Sequence, residues 1–207
     1  MKKINVILAS FTLLFFTSLN AETKYGFSII GGQTDISGTE TEGTAADTST
    51  RTKSITEQFL GGDLFMESVN DSGFTYGVSW VPLNVELGEG SRSDSNSEGD
   101  TGTRTAKAEL SNLLTAYTNI PMGSGGWYTV LGVHYTTVKT DETLNESSYD
   151  DETIFGGQIG IGLRSDDIKY ELAYSDFEDI NITATGGGTN SVSADADALT
   201  FKISIGF

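Results

Sequence analysis

Residues 198–207, ALTFKISIGF, alternate without a break: Leu199, Phe201, Ile203, Ile205 and Phe207 are apolar, and Thr200, Lys202, Ser204 and Gly206 between them are polar or small. Side chains on a strand point alternately to its two faces, so this segment is a strand with one wholly apolar face and one that carries a lysine. Its length is equally constraining. Ten residues at about 3.3 Å each, tilted by about 40°, rise about 25 Å, the height of the apolar band on a barrel that sits in lipid.

The same alternation recurs upstream. A first strand from about Thr23 to Gln33 sets Tyr25, Phe27 and Ile29 against Lys24, Gly26 and Ser28. A second, about Ser54 to Glu67, sets Leu60, Gly62, Leu64 and Met66 against Glu57, Asp63 and Glu67. The third begins at Phe74, with Tyr76, Val78 and Trp80 alike, and Pro82 weakens pairing near its outer end because proline has no N–H to give a ladder. In the fourth, about Thr105 to Thr118, both parities carry leucine; Lys107 and Glu109 assign Leu110 and Leu114 to the lipid side. Trp127, Thr129, Leu131, Val133 and Tyr135 form one face of the fifth strand. Phe155, Ile159, Ile161 and Leu163 do so in the sixth, and Ile168, Tyr170, Leu172 and Tyr174 in the seventh.

Between these strands, long polar spans (Asp35–Thr52, Gly88–Arg104, Asp141–Glu152, Asp176–Asp197) read as loops and alternate with short turns near residues 68–73, 119–126 and 165–167. After residue 21 no run approaches the length of an apolar spanning helix, and an open sheet leaves unpaired edges in lipid, so closure is the remaining solution. The fold class expected is all-β: an eight-stranded antiparallel transmembrane up-and-down β-barrel. A soluble barrel would alternate too, but the polar parity here is crowded with glycine (Gly26, Gly77, Gly132, Gly156, Gly160, Gly162, Gly206), as the inside of a narrow barrel requires. Aromatic residues near the other ends of the strands, Tyr25, Phe27, Phe74, Tyr76, Trp127, Tyr170 and Phe207, suit an interfacial girdle.

The amino-terminus has the order of a secretory signal peptide: Lys2 and Lys3, an apolar stretch from Ile4 to Leu19, then Ala21 before Glu22. Residues 1–21 are assigned to it and residues 22–207 to the barrel, which leaves 186 residues and moves the net charge from −17 to −19. Such acidity argues against nucleic acid as a partner. With no cysteine in the chain, disulfides and a lipid-attachment thiol are both excluded.

The terminal strand with Phe201, Ile203, Ile205 and Phe207 resembles the assembly signal of bacterial outer-membrane β-barrel proteins. The whole mature chain resembles the small eight-stranded barrels of the OmpA, OmpX and OmpW type. What that resemblance implies is residence in the Gram-negative outer membrane, both termini periplasmic and long loops extracellular. It also implies outer-membrane lipid, lipopolysaccharide and the assembly machinery as partners, together with an extracellular ligand of unidentified chemistry at the loops. The roles it implies run from structural anchor and surface protein to a narrow, porin-like passage.

Enzymatic small barrels exist, and His134 with Thr136 two residues on resembles the histidine-x-serine of outer-membrane lipid A deacylases. Threonine replaces the serine, however, the neighbouring residues do not match further, and the parity of His134 points it into the lumen; a packed interior histidine is the reading adopted. No catalytic residue, cofactor site or metal site is assigned. The expected lumen charges are Lys24, Asp63, Glu67, Lys107, Glu109, Arg164, Lys169, Glu171 and Lys202, nearly balanced and therefore able to pair with one another. Most of the acids lie in the four polar spans. Clusters such as Asp150-Asp151-Glu152 have no dedicated calcium-loop spacing and are read as solvated surface. The function expected is a non-enzymatic outer-membrane barrel with acidic extracellular loops and a structural or surface-interaction role. The alternative, a narrow OmpW-type channel for small molecules, requires an apolar lumen or a lateral opening, to which only Pro82 points.

Overall fold

A computed structural model describes residues 21–44, 47–94, 102–143, 148–185 and 190–207. Residues 1–20, nearly all of the expected signal peptide, lie outside the described residues. Eleven strands follow in order: β1 Glu22–Thr44, β2 Asp47–Val69, β3 Thr75–Val81, β4 Val85–Asp94, β5 Gly102–Pro121, β6 Trp127–Glu142, β7 Ser148–Tyr149, β8 Glu152–Ser165, β9 Ile168–Phe177, β10 Ile180–Thr185 and β11 Ser191–Gly206. They make a ring of eight staves, because β3 and β4 pair successive parts of β5 and because β10 continues along β11 where β9 stops. The ring closes between its first and last strands, from Gly26 opposite Gly206 to Thr41 opposite Ser191. Phe207 completes the closure, donating its N–H to Tyr25 O at 2.9 Å and accepting from Tyr25 N at 3.1 Å.

The two faces sort as the alternation predicts. Leu60, Tyr25, Ile159, Val133, Leu172, Leu199 and Phe201 stand exposed on the outside, whereas Ser28, Asp63, Glu67, His134, Lys169, Glu171 and Ser204 are buried inside. Apolar side chains exposed all round a closed ring have lipid as their matching solvent. The crowded inner face also has a specific cause. Added side chains at Gly77 and Gly162 would collide with the rings of Tyr117 and Tyr128, so these glycines make room for lumen aromatics from the neighbouring strands.

Short turns at one end are built locally. In the first, Asn70 Oδ1 accepts from Ser72 N at 3.1 Å and Phe74 N at 2.9 Å, and Gly73 takes a positive φ of 81° that glycine tolerates without strain. At the other end the spans expected to be loops are largely strand. β1 and β2 stay in register from Glu22 opposite Val69 to Thr44 opposite Asp47, so the expected loop from Asp35 to Thr52 is mostly an extension of the hairpin. At about 3.3 Å per residue, 23 residues run about 75 Å, well beyond an apolar band even when tilted. Rungs of hydroxyls hold this extension: Ser54 donates to Ser37 at 3.2 Å, and Thr39 and Thr52 meet at 3.2 Å. Polar composition signals solvent, and a strand wet on both faces is polar on both parities. The second span likewise contains most of β4 and the start of β5, whereas the fourth contains β10 and the start of β11, where Ile180, Ile182 and Ala196 are buried inside while Asn181 and Thr183 are exposed.

Candidate functional site

The lumen carries the chemistry, and it is layered. Nearest the short turns, Glu67 reaches in from β2 and is 2% exposed. It accepts from Tyr117 Oη at 2.9 Å, Lys169 Nζ at 2.5 Å and Arg164 Nη2 at 3.4 Å. Lys169 is also buried, with Nζ 4.4 Å from the centre of the Phe65 ring. Just above, Glu171 accepts from Tyr128 Oη at 2.9 Å and pairs with Lys202 at 2.9 Å, while Lys202 lies 3.7 Å from Asp63. Lys24 pairs with Asp167 of the turn between β8 and β9 at 3.1 Å. Seven of the nine charges assigned to the lumen are therefore inward; Glu171 and Lys202 face each other on the neighbouring strands β9 and β11, while Glu67 is met across the lumen by Arg164 of β8 and Lys169 of β9. Buried charges are tolerated when paired in this way, and here they fill the passage.

Lys107 and Glu109 are the exceptions. They bond each other at 2.6 Å on the outer side of the sheet, where Lys107 also meets Glu86 and Asn84 donates to Glu109. The register slips between Ser111 and Leu114, and Asn112 takes a positive φ of 57°. One extra residue in a ladder turns every side chain beyond it to the other face. Below the bulge Leu114 meets lipid as expected, but above it Leu110 is 4% exposed and faces inward, which corrects its assignment to the lipid side. The hydrogen bond to Lys107 holds the carboxyl of Glu109 below its ordinary range, and those to Glu109 and Glu86 raise Lys107.

Above the charges, His134 sits on a polar shelf. Its Nδ1 is 2.8 Å from Thr115 Oγ1 and its Nε2 3.0 Å from Ser175 Oγ, and its ring stacks on Phe177 at 5.3 Å. Thr136 donates its hydroxyl to Ser111 O at 3.1 Å instead of meeting His134. The histidine-x-threonine pair is thus held apart, each member by a different neighbour. Higher still the lumen is apolar: Leu87, Leu110, Val138, Ile154, Ile180, Ile182 and Ala196 form a buried cluster, with Ile36 and Phe177 packed against it. In the expected acidic cluster, Glu152 accepts the N–H of Asn181 at 2.9 Å and so fastens β10 to β8.

Between the charged layer and the apolar cluster lies a cavity of about 90 Å³. It abuts an irregular stretch of wall. The ladder of β2 with β3 ends at Leu64 opposite Trp80, and among the described residues no ladder joins β2 to β4 above it. Pro82, Leu83 and Asn84 interrupt the stave there. Gly61 and Gly62 line the cavity on the β2 side, and a side chain added at Gly61 would meet no atom within 4 Å. Leu60, 82% exposed, and Leu83, 65% exposed, flank this window. Above it, a side chain added at Gly88 would meet Ile55 at 3.2 Å, so the two staves approach again.

No protein-family model matches the sequence, and no curated protein matches it. Solved structures do match. The outer membrane protein OprG of Pseudomonas aeruginosa is 14% identical, with 91% of this chain and 97% of that one covered at a TM-score of 0.52. The outer membrane protein AlkL, solved in DMPC lipid bilayers, is 11% identical, with 88% and 90% covered at a TM-score of 0.54. The fold is that of the small outer-membrane barrels. A looser match, at a TM-score of 0.42 and 12% identity over 87% of this chain and 99% of the other, is the attachment invasion locus protein Ail of Yersinia pestis in complex with the heparin analogue sucrose octasulfate.

The sequence pointed to Pro82 and to most of the lumen charges. It did not reveal the window, nor that Phe65, Tyr117 and Tyr128 complete the charged layer. The glycines at 77 and 162, each facing a tyrosine on the next strand, were the available signal for the latter two.

Proposed function

We propose that this barrel, seated in the outer membrane with its termini periplasmic and its long hairpins extracellular, passes small apolar molecules from its outer mouth into the bilayer. The lumen offers an apolar upper part and a cavity below it, and the layer around Glu67 and Glu171 blocks the way down. The observation that carries the reading is the unladdered wall beside that cavity, bordered by Gly61, Gly62 and the Pro82 interruption and flanked by exposed leucines. Apolar solutes can leave sideways there into hydrocarbon without crossing buried charge. This reverses the order of preference drawn from the sequence, because the two features it lacked, an apolar lumen and a lateral opening, are both supported.

The test is uptake of radiolabelled benzene by cells that carry the barrel. Gly61→Trp, which fills the window from a position with open space, should lower uptake to the level of cells lacking the barrel at equal barrel abundance. Unchanged uptake, or stepwise ion conductance in a planar bilayer, would refute the lateral route. A surface-interaction role is a second reading, favoured by the extension of β1 and β2 beyond the apolar belt with its exposed Ser and Thr rungs. Loss of an extracellular binding partner on shortening that hairpin would support it.

A further inference from the structure

We propose that the lumen cavity binds a small, uncharged, mainly apolar molecule through a hydroxyl group that donates to Asp63. The inference rests on the lateral-route reading and names the class of molecule that route would take. A cavity of about 90 Å³ is smaller than the roughly 150 Å³ that holds the six heavy atoms of benzene, and in proportion takes a molecule of about four to five. Its lining is two-sided. Val81, Val85 and Leu110 make one part apolar, and Asp63 and Lys202 belong to the other.

Asp63 is the group left wanting. It is 3% exposed, and its Oδ1 has no hydrogen-bond partner among the described residues. Lys202, the nearest cation, stands 3.7 Å from its other oxygen and is already bonded to Glu171 at 2.9 Å. A buried acceptor without a donor is costly, and a ligand that brings the donor recovers that cost as affinity.

The charge around it selects a neutral donor. In this layer Asp63, Glu67 and Glu171 balance Arg164, Lys169 and Lys202. An ammonium ligand would leave a positive charge uncompensated, and a group that only accepts would face a carboxylate. A short alcohol meets both requirements, with its chain against Val85 and Leu110 and its hydroxyl on Asp63.

Three probes of one size test this: butan-1-ol, butanal and pentane, titrated into the barrel in lipid nanodiscs and followed by methyl NMR shifts of Val81, Val85 and Leu110. Butan-1-ol should bind about tenfold more tightly than either of the others, the scale of one hydrogen bond to a charged acceptor. In Asp63→Ala that preference should vanish while pentane binds as before. Pentane binding without a preference for the alcohol, or a preference that survives Asp63→Ala, would overturn the hydroxyl inference and leave the lateral route standing. If none of the three shifts the cavity methyls, the route itself fails. Should Asp63→Ala not fold, the ranking of the three probes on the unaltered barrel still decides.

Discussion

Replacing Glu67 by leucine should be among the most destabilising single changes in the barrel, and removing Lys169 as well should restore much of the loss. Glu67 gathers three donors, Tyr117, Arg164 and Lys169. Lys169, in contrast, pairs among the described residues with Glu67 alone within 4 Å and is 3% exposed. Glu67→Leu therefore strands a buried ammonium, which costs about 3–5 kcal/mol, and leaves the Tyr117 hydroxyl without its acceptor at about 1 kcal/mol more. Lys169→Met is milder, about 1–3 kcal/mol, because Glu67 keeps Tyr117 and Arg164 and the new side chain can lie on the Phe65 ring that Lys169 already covers. In the double variant no ammonium is stranded. Its cost should fall short of the summed single costs by at least about 2 kcal/mol, a coupling characteristic of residues in contact. Urea unfolding in phospholipid vesicles reads this out through Trp80 and Trp127, both exposed on the outer face. Costs that add to within about 0.5 kcal/mol would refute the pairing and with it the layered lumen.

On the lipid side, Ile203→Arg should cost about 2–4 kcal/mol in the same assay, since Ile203 lies on the outer face between Ile29 and Tyr170; a negligible cost would deny it contact with lipid. Single cysteines at 199, 201, 203 and 205 should react with a membrane-soluble thiol reagent and those at 200, 202 and 204 should not, the reverse parity being incompatible with the closed ring. Deleting Phe207 removes the two hydrogen bonds to Tyr25 that complete closure, so outer-membrane levels should fall while export continues; normal levels would remove it from the assembly signal. In the extension beyond the apolar belt, a hydrogen bond to Asp179 and its nearby charge raise the carboxyl of Asp195. A raised folded value favours the protonated form, so the stabilisation is present below the unfolded value and is lost as pH rises through the folded one. Amide exchange near Asp195, corrected for its intrinsic rate, should be slower at about pH 4 than at about pH 7, and Asp195→Asn should flatten the difference.

The faces of most strands were legible in the residues because alternation is a local property that every strand expresses by itself. Leu60, Leu64, Tyr76, Trp80 and the odd positions of β11 fell as the pattern requires. Legibility failed at Leu110, Lys107 and Glu109, where the bulge at Asn112 reverses the phase. Nothing in SNLL, residues 111–114, announces the slip. It failed again in the outer part of β1 and β2, whose polar faces lack the contrast on which alternation depends, and at β10, where Ile180, Ile182 and Ala184 do alternate but over only six residues within a polar span.

By itself, then, the sequence determined that apolar and polar faces recur at barrel-spanning length, that glycine crowds the polar parity, and that neither disulfide nor spanning helix is available to residues 22–207. Those conclusions follow from covalent spacing and from solvent preference, which act within each segment. Only closure of the ring decided that Glu67 meets Lys169 across 102 positions of chain, that Asp63 keeps one oxygen without a donor among the described residues, and that the β2–β3 ladder stops beside a cavity. Each depends on which strands face one another across the lumen, a relation no local period encodes.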